Sequence, residues 1–191
     1  MRKLILALIV ALLFPSIVWA ASPSRVGTDT SVEAAATGDS FTVAHTVPTT
    51  GQNRCLIVVP VNTDNTKDTT GVTWNGTAMT QLFYRQATQR QDISYWYIAN
   101  PDTGTNNIVV SLAAGSGMSA YALSAFTLQD CAQSSPTDGT NGAGTSADVT
   151  SLSASVTSAV NGDLYLVAMV QNGGSSYVDD GTQTRISTLV N

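Results

Sequence analysis

Asn75-Gly76 lies between two short alternating arms, Val72-Thr-Trp74 and Thr77-Ala-Met79. A two-residue loop of this composition is the strongest local signal for a type I′ turn, because both central residues need positive φ and Asn and Gly tolerate it. The turn then dictates register. Trp74 faces Thr77, Thr73 faces Ala78, and Val72 faces Met79. Side chains alternate with period two, so Val72, Trp74, Thr77 and Met79 share a face apolar enough to be buried. A chain committed to this hairpin has an antiparallel sheet with a core side.

The rest of the sequence supplies partners of the same kind. Phe41-Thr-Val-Ala-His-Thr-Val47 alternates, with Phe41, Val43, His45 and Val47 on one face. Cys55 to Val61 and Leu164 to Val170 are continuous apolar runs, as expected of central strands covered on both sides. Pro60 lacks an N–H, so the first run is expected to end there or to lie at an edge or bulge. Leu82 and Tyr84 are one residue out of phase with Met79, and a bulge near Thr80-Gln81 would absorb the slip. Ile93 to Ile98, Ile108 to Leu112, Met118 to Leu128 and Val149 to Val156 read as further strands, separated by turn clusters such as Asn100-Pro-Asp-Thr-Gly104. Sustained helical periodicity is absent after the first twenty residues. Eight to ten short strands in this pattern predict an all-β antiparallel β-sandwich, jelly-roll or immunoglobulin-like. Trp74, Trp96 and Phe126 are expected in its core.

Residues 1–20 read as a secretory signal peptide: Arg2 and Lys3, an apolar run from Leu4 to Phe14, and small residues ending at Ala20. Residues 21–40 are polar and weakly patterned, a linker or one edge strand. Residues 41–191 form the sandwich domain. The chain stops at Arg185 to Asn191, within a strand-like pattern. That fits either a chain truncated before one or two closing strands or a short C-terminal edge strand.

Without Arg2 and Lys3, six basic residues face thirteen acidic ones, a net charge of −7. Twelve of the acids are Asp and one is Glu33. Such a surface disfavours nucleic acid and anionic membranes, which call for basic groups. The signal peptide places the mature chain, by expectation, in an extracellular or periplasmic setting. There, Cys55 and Cys131 face oxidising conditions. Cys55 opens one strand and Cys131 follows the end of another. If the two strands are antiparallel neighbours, a bridge would close a loop of 77 residues, counting both cysteines, and contribute about 4 kcal/mol. Two separated thiols remain the alternative, since sequence does not give the Cα separation.

Several pieces in fixed order carry a resemblance: Asn53-Arg-Cys-Leu-Ile-Val-Val59, then Gly71 to Thr80, then Tyr95-Trp-Tyr97 with Asn100 to Gly104, then Ala125-Phe126 leading to Pro136-Thr-Asp138. Over residues 41–170 the chain resembles a largely uncharacterised β-sandwich domain that recurs in secreted bacterial and phage-associated proteins. The resemblance implies a sandwich fold and supplies no catalytic motif to carry over.

Chemistry-bearing residues are sparse. His45 is the only His and shares a face with Phe41, Val43 and Val47, where a hydrogen-bonded structural role outweighs a base for a nucleophile. One His and two separated Cys are too few for a zinc-type site. A hydrolytic carboxylate pair would have to be two Asp, because Glu33 lies in the weak N-terminal segment. Asp64, Asp68, Asp130, Asp138, Asp179 and Asp180 all occupy turn-like segments, where local turn roles compete. Oxygen ligands for calcium are offered by Asp64 with Asp68, or by Asp179 with Asp180. Tyr95 and Tyr97 lie opposite Trp96; with Trp96 in the core they would point outward or into a groove, as sugar-binding aromatics do, or simply fill a sheet surface. The expected function is a secreted, non-catalytic module that binds a glycan or cell-surface polymer or builds an extracellular assembly. The alternative is an Asp-dependent hydrolase assisted by calcium.

Overall fold

The computed structural model describes residues 22–36, 38–62, 68–87, 91–114, 119–137 and 139–141, together with Leu164, Leu166 and Ala168. Among these described residues, nine strands follow in chain order: β1 (Ser24–Ala36), β2 (Ser40–Val47), β3 (Cys55–Asn62), β4 (Thr69–Trp74), β5 (Thr77–Ala78), β6 (Thr80–Ala87), β7 (Gln91–Ala99), β8 (Gly104–Leu112) and β9 (Ser119–Gln129). They form a five-stranded sheet in the order β1-β9-β3-β7-β6 and a four-stranded sheet in the order β2-β8-β4-β5. All strand pairs are antiparallel. The all-β antiparallel sandwich expected from the sequence is the observed fold. Within residues 21–40, the segment is largely strand β1, at the end of the five-stranded order.

The hairpin has the register its turn demands. Thr73 pairs with Ala78 and Trp74 with Thr77, and the Met79 N–H donates to the Val72 carbonyl at 2.9 Å. Asn75 and Gly76 have φ of 47° and 79°. Val72, Trp74 and Met79 are buried, whereas Thr77 at the turn is exposed. A bulge follows between Gln81 and Phe83, next to the expected Thr80-Gln81. It sends Leu82 to the outer face of the five-stranded sheet and returns Tyr84 to the phase of the inner face, opposite Ser94.

Two apolar layers hold these sheets. Between them lie Phe41, Val43 and Val47 of β2, Val72 and Trp74 of β4, and Ile108, Val110 and Leu112 of β8, facing Leu56, Val58, Trp96, Leu123 and Ala125 of the larger sheet. On the far side of the larger sheet, Ile57, Val59 and Val61 of β3 join Ile93, Tyr97, Phe126 and Leu128, with Leu166 and Ala168 packed against them. Phe126 is therefore buried, but in this outer layer and not between the sheets as Trp74 and Trp96 are. β3 is buried along its whole length and lies at the centre of the order. Burial of each such Leu, Ile or Val contributes about 1.5–3 kcal/mol.

Pro60 departs from expectation. It lies inside central strand β3, neither ending the strand nor at an edge. The pairing to β7 breaks off at Val58 and resumes at Val61, while the pairing to β9 runs through Pro60 opposite Leu123. A proline is accommodated because only one of the two ladders is interrupted where its missing donor would have served.

The turn carries a direct test. A Cβ on Gly76 would meet no atom within 4 Å, yet its φ of 79° is strained for a branched residue. Gly76→Val should cost about 1–2 kcal/mol, whereas Gly71→Ala, whose nearest neighbour is Ser111 Cβ at 4.0 Å, should leave stability unchanged or slightly raised. Urea denaturation of both variants measures the difference; a Gly76→Val protein as stable as the parent would rule out this turn.

Candidate functional site

Most polar side chains of a sandwich interior must find partners or suffer desolvation. Two groups of them occur between the sheets. The first surrounds His45, which is 2% exposed. Its Nδ1 lies 2.9 Å from Thr30 Oγ1 and its Nε2 lies 3.3 Å from Thr127 Oγ1, and the Trp74 ring packs edge-on at 6.0 Å. One nitrogen donates and the other accepts, so the neutral ring joins β1, β2 and β9. Burial lowers its pKa to about 4. This is a structural histidine with both nitrogens engaged.

The second group lies where β3 ends and β7 begins. Register places Asn62 of β3 and Gln86 of β6 on either side of Asp92 of β7, forming a polar row across three strands. Asp92 is 2% exposed. Its Oδ2 accepts the backbone N–H of Thr69 at 3.0 Å, which ties the two sheets together. Its Oδ1 has no hydrogen-bond partner. The Thr69 hydroxyl is near enough to favour the ionised carboxylate, but lies outside hydrogen-bonding geometry. Burial is the main cause that raises the Asp92 pKa to about 6, opposed by the Thr69 N–H bond and the nearby Thr69 hydroxyl and reinforced by the charge of Asp68.

Asp68 brings this buried row to the surface. Its carbonyl accepts Ala113 N–H at 2.8 Å, and its carboxylate accepts Gln86 Nε2 at 2.8 Å. Tyr84, 37% exposed on β6, also interacts with Asp68. Partial burial, then the charges of Asp68 and Asp92, raise the Tyr84 phenol to about 12. The arrangement thus grades from a buried carboxylate, through a half-buried one, to an exposed aromatic ring flanked by an amide.

Of the residues that the sequence singled out, Asp68 belongs to this site. Asp64, Asp138, Asp179 and Asp180 lie outside the described residues. Asp130 occupies a bend after β9, with φ of 58°. Asp92 and Thr69, two carriers of the site, went unmarked. The available signal was parity, since Asp92 shares the Trp96 face of its strand, but the partners Asn62 and Gln86 come from non-local pairing. Each expected calcium pair, Asp64 with Asp68 and Asp179 with Asp180, includes residues outside the described ones, and no three His, Cys, Asp or Glu converge among the described residues.

Tyr95 and Tyr97 lie on the outer face of the five-stranded sheet, opposite Trp96 as the alternation implies. They line its apolar layer and do not form an open platform. Tyr97 is 7% exposed and its hydroxyl donates to the Gln133 carbonyl at 3.2 Å. The Tyr95 hydroxyl is buried without a partner, and burial raises its pKa. Cys55 and Cys131 come together: β3 and β9 are antiparallel neighbours, and both are free thiols, Cys55 donating to the Ala132 carbonyl at 3.8 Å and Cys131 to the Gln129 carbonyl at 3.9 Å. No helix among the described residues is long and apolar enough to cross a membrane. No protein-family model, no curated protein and no solved structure matches the chain.

The two buried titratable groups act on stability in opposite directions. For Asp92 the folded pKa exceeds the unfolded value of 3.8, so its contribution is fully present below the unfolded pKa and lost as pH rises through about 6. For His45 the folded pKa lies below the unfolded value of 6.5, so stability is lost as pH falls from 6.5 toward 4. Relative to the parent, Asp92→Asn should gain up to about 3 kcal/mol between pH 4 and pH 7, and His45→Gln should gain a similar amount between pH 6.5 and pH 4. Urea midpoints of the three proteins across that range test both slopes, and parallel curves would contradict the assigned burial effects.

Proposed function

We propose that this chain is a secreted, non-catalytic β-sandwich module that binds a glycan or a neutral cell-surface polymer at the Tyr84 edge. The observation that carries the reading is the grouping of Tyr84, Asp68 and Gln86. Tyr84 and Leu164 are the large hydrophobic side chains that stand exposed among the described residues, and Tyr84 alone of these two sits beside a carboxylate and an amide. A sugar ring offers C–H faces that stack on an aromatic face, and hydroxyls that pair with planar acceptors and donors. The acidic balance of the chain suits a neutral polymer better than an anionic one.

Extracellular assembly by strand addition is the other form of this reading. Among the described residues β6 is an end strand. Its bulge between Gln81 and Phe83 and its exposed Gln81, Arg85 and Gln86 blunt it for edge-to-edge pairing, which favours a side-chain ligand over a strand. The Asp-dependent hydrolase remains the second reading because Asp68 lies close enough to Asp92 to raise its pKa, and separated carboxylate pKa values are what acid–base pairs use. Burial of Asp92 favours a positioning role for it instead.

Affinity electrophoresis in gels containing neutral polysaccharides separates these readings. The parent should be retarded in at least one gel, and Tyr84→Ala should weaken the retardation about 10-fold or more, by about 1.4 kcal/mol, with folding stability changed by less than about 1 kcal/mol. Retardation unaffected by Tyr84→Ala, or no retardation of the parent at any concentration, would remove the proposal. Release of new reducing ends, abolished by Asp92→Asn, would instead establish the hydrolase.

A further inference from the structure

We propose that Cys55 and Cys131 are a redox-active dithiol that closes to an intramolecular disulfide, with Cys131 the attacking thiol and Cys55 the resolving one. The geometry is set by the β3–β9 ladder. Cys55 is the first residue of β3 and lies opposite Leu128 of β9. Beyond β9 the chain stays zipped to the approach of β3: Asp130 N–H donates to the Gln52 carbonyl at 2.9 Å, and Cys131 N–H to the Asn53 carbonyl at 3.0 Å. Cys131 is thereby held beside Cys55 by backbone bonds and packs against the same apolar layer. Their approach does not depend on flexible side chains.

The two sulfurs have different surroundings. Cys55 is 1% exposed, within the outer apolar layer. Cys131 is half-buried at the rim of that layer. Gln133 closes over the pair, donating from Nε2 to Cys55 Sγ at 3.8 Å and to the Cys131 carbonyl at 3.1 Å. The Cys55 thiol donates to the Ala132 carbonyl at 3.8 Å, and the Cys131 thiol to the Gln129 carbonyl at 3.9 Å. The closeness of the two sulfurs raises the pKa of the buried Cys55 and lowers that of Cys131. The accessible sulfur is thus also the more nucleophilic form, the arrangement in which thiol–disulfide exchange starts at one defined site.

The oxidant is a small disulfide, RSSR. The Cys131 thiolate attacks one of its sulfurs, forming a Cys131 mixed disulfide and expelling RS⁻, which takes a proton to become RSH. Cys55 then loses its proton and attacks the Cys131 sulfur, forming the protein disulfide and releasing the second RSH. Two protein thiols are oxidised and one RSSR is reduced to two RSH. The product staples the start of β3 to the chain leaving β9 and closes the loop between them.

Glutathione disulfide serves as the probe. After incubation with it, denaturation and alkylation without reductant should leave both cysteines of the parent unlabelled and the mass reduced by two hydrogens. The oxidised protein should melt on the order of 10 °C above the reduced one. Cys55→Ser should stop at a glutathione adduct on Cys131, and Cys131→Ser should form its adduct more slowly. Two labelled thiols in the treated parent, or equal adduct rates in the two variants, would overturn the proposal. If either variant fails to fold, limited alkylation of the reduced native parent decides the order. Peptide mapping should find the first label on Cys131, and a first label on Cys55 would refute it.

Discussion

Burial of β3 on both faces is the constraint on which the rest of the structure depends. Every residue from Cys55 to Asn62 is buried. A strand with no solvent face forces apolar layers onto both sides of its sheet, and the two clusters divide along its alternation. Leu56 and Val58 enter the space between the sheets, while Ile57, Val59 and Val61 enter the outer layer. Neighbours β7 and β9 follow the same division: Trp96 and Leu123 point inward, and Tyr97 and Phe126 outward. This is also why Tyr95 and Tyr97 are not surface aromatics. The face opposite Trp96 is a second interior, so alternation alone does not expose them.

Polar chemistry is confined to the ends of that strand. At its start, Cys55 meets Cys131. At its end, Asn62 opens the row through Asp92 to Gln86. At its ends, arriving and departing chain brings backbone groups within reach: Asn53 carbonyl for Cys131, and Thr69 N–H for Asp92. His45 obeys the same rule from the opposite sheet, since Thr30 and Thr127 supply hydroxyls across the interlayer space. Its ring stays neutral because two hydroxyls satisfy both nitrogens but do not replace the hydration of a cation.

What could be read in the sequence was local. The Asn75-Gly76 turn dictated three pairings because a type I′ turn leaves no freedom of register. The Phe41 to Val47 alternation placed His45 in the core because period two is a property of the strand itself. The reading weakened wherever the outcome depended on which strands become neighbours. Pro60 looked like a strand end because a central strand needs donors on both sides; it is tolerated because the β9 ladder continues past it. A bulge near Thr80-Gln81 follows from the phase slip at Leu82, but its placing between Gln81 and Phe83 depended on pairing with Trp96 and Tyr95. Asp92 was invisible for the same reason, as its partners are 30 residues upstream in β3 and across the connection to β6.

The same non-local pairing explains why the exposed edge at Tyr84 can present a defined shape. Tyr84 and Gln86 lie in β6 opposite Ser94 and Asp92, whose own side chains are buried and committed. Ser94 accepts the Trp96 indole N–H at 2.8 Å, and Asp92 is anchored to Thr69. Asp68, adjacent in sequence to Thr69, is drawn over the edge by that anchor and by its bond to Ala113, and Gln86 then bridges back to it. Each exposed group is therefore one bond or one register step from an immobile buried one. Preorganisation of this kind reduces the ordering entropy a ligand must overcome. The buried carboxylate with an unpartnered oxygen contributes by holding two sheets at a fixed separation, and the aromatic edge takes its geometry from that separation.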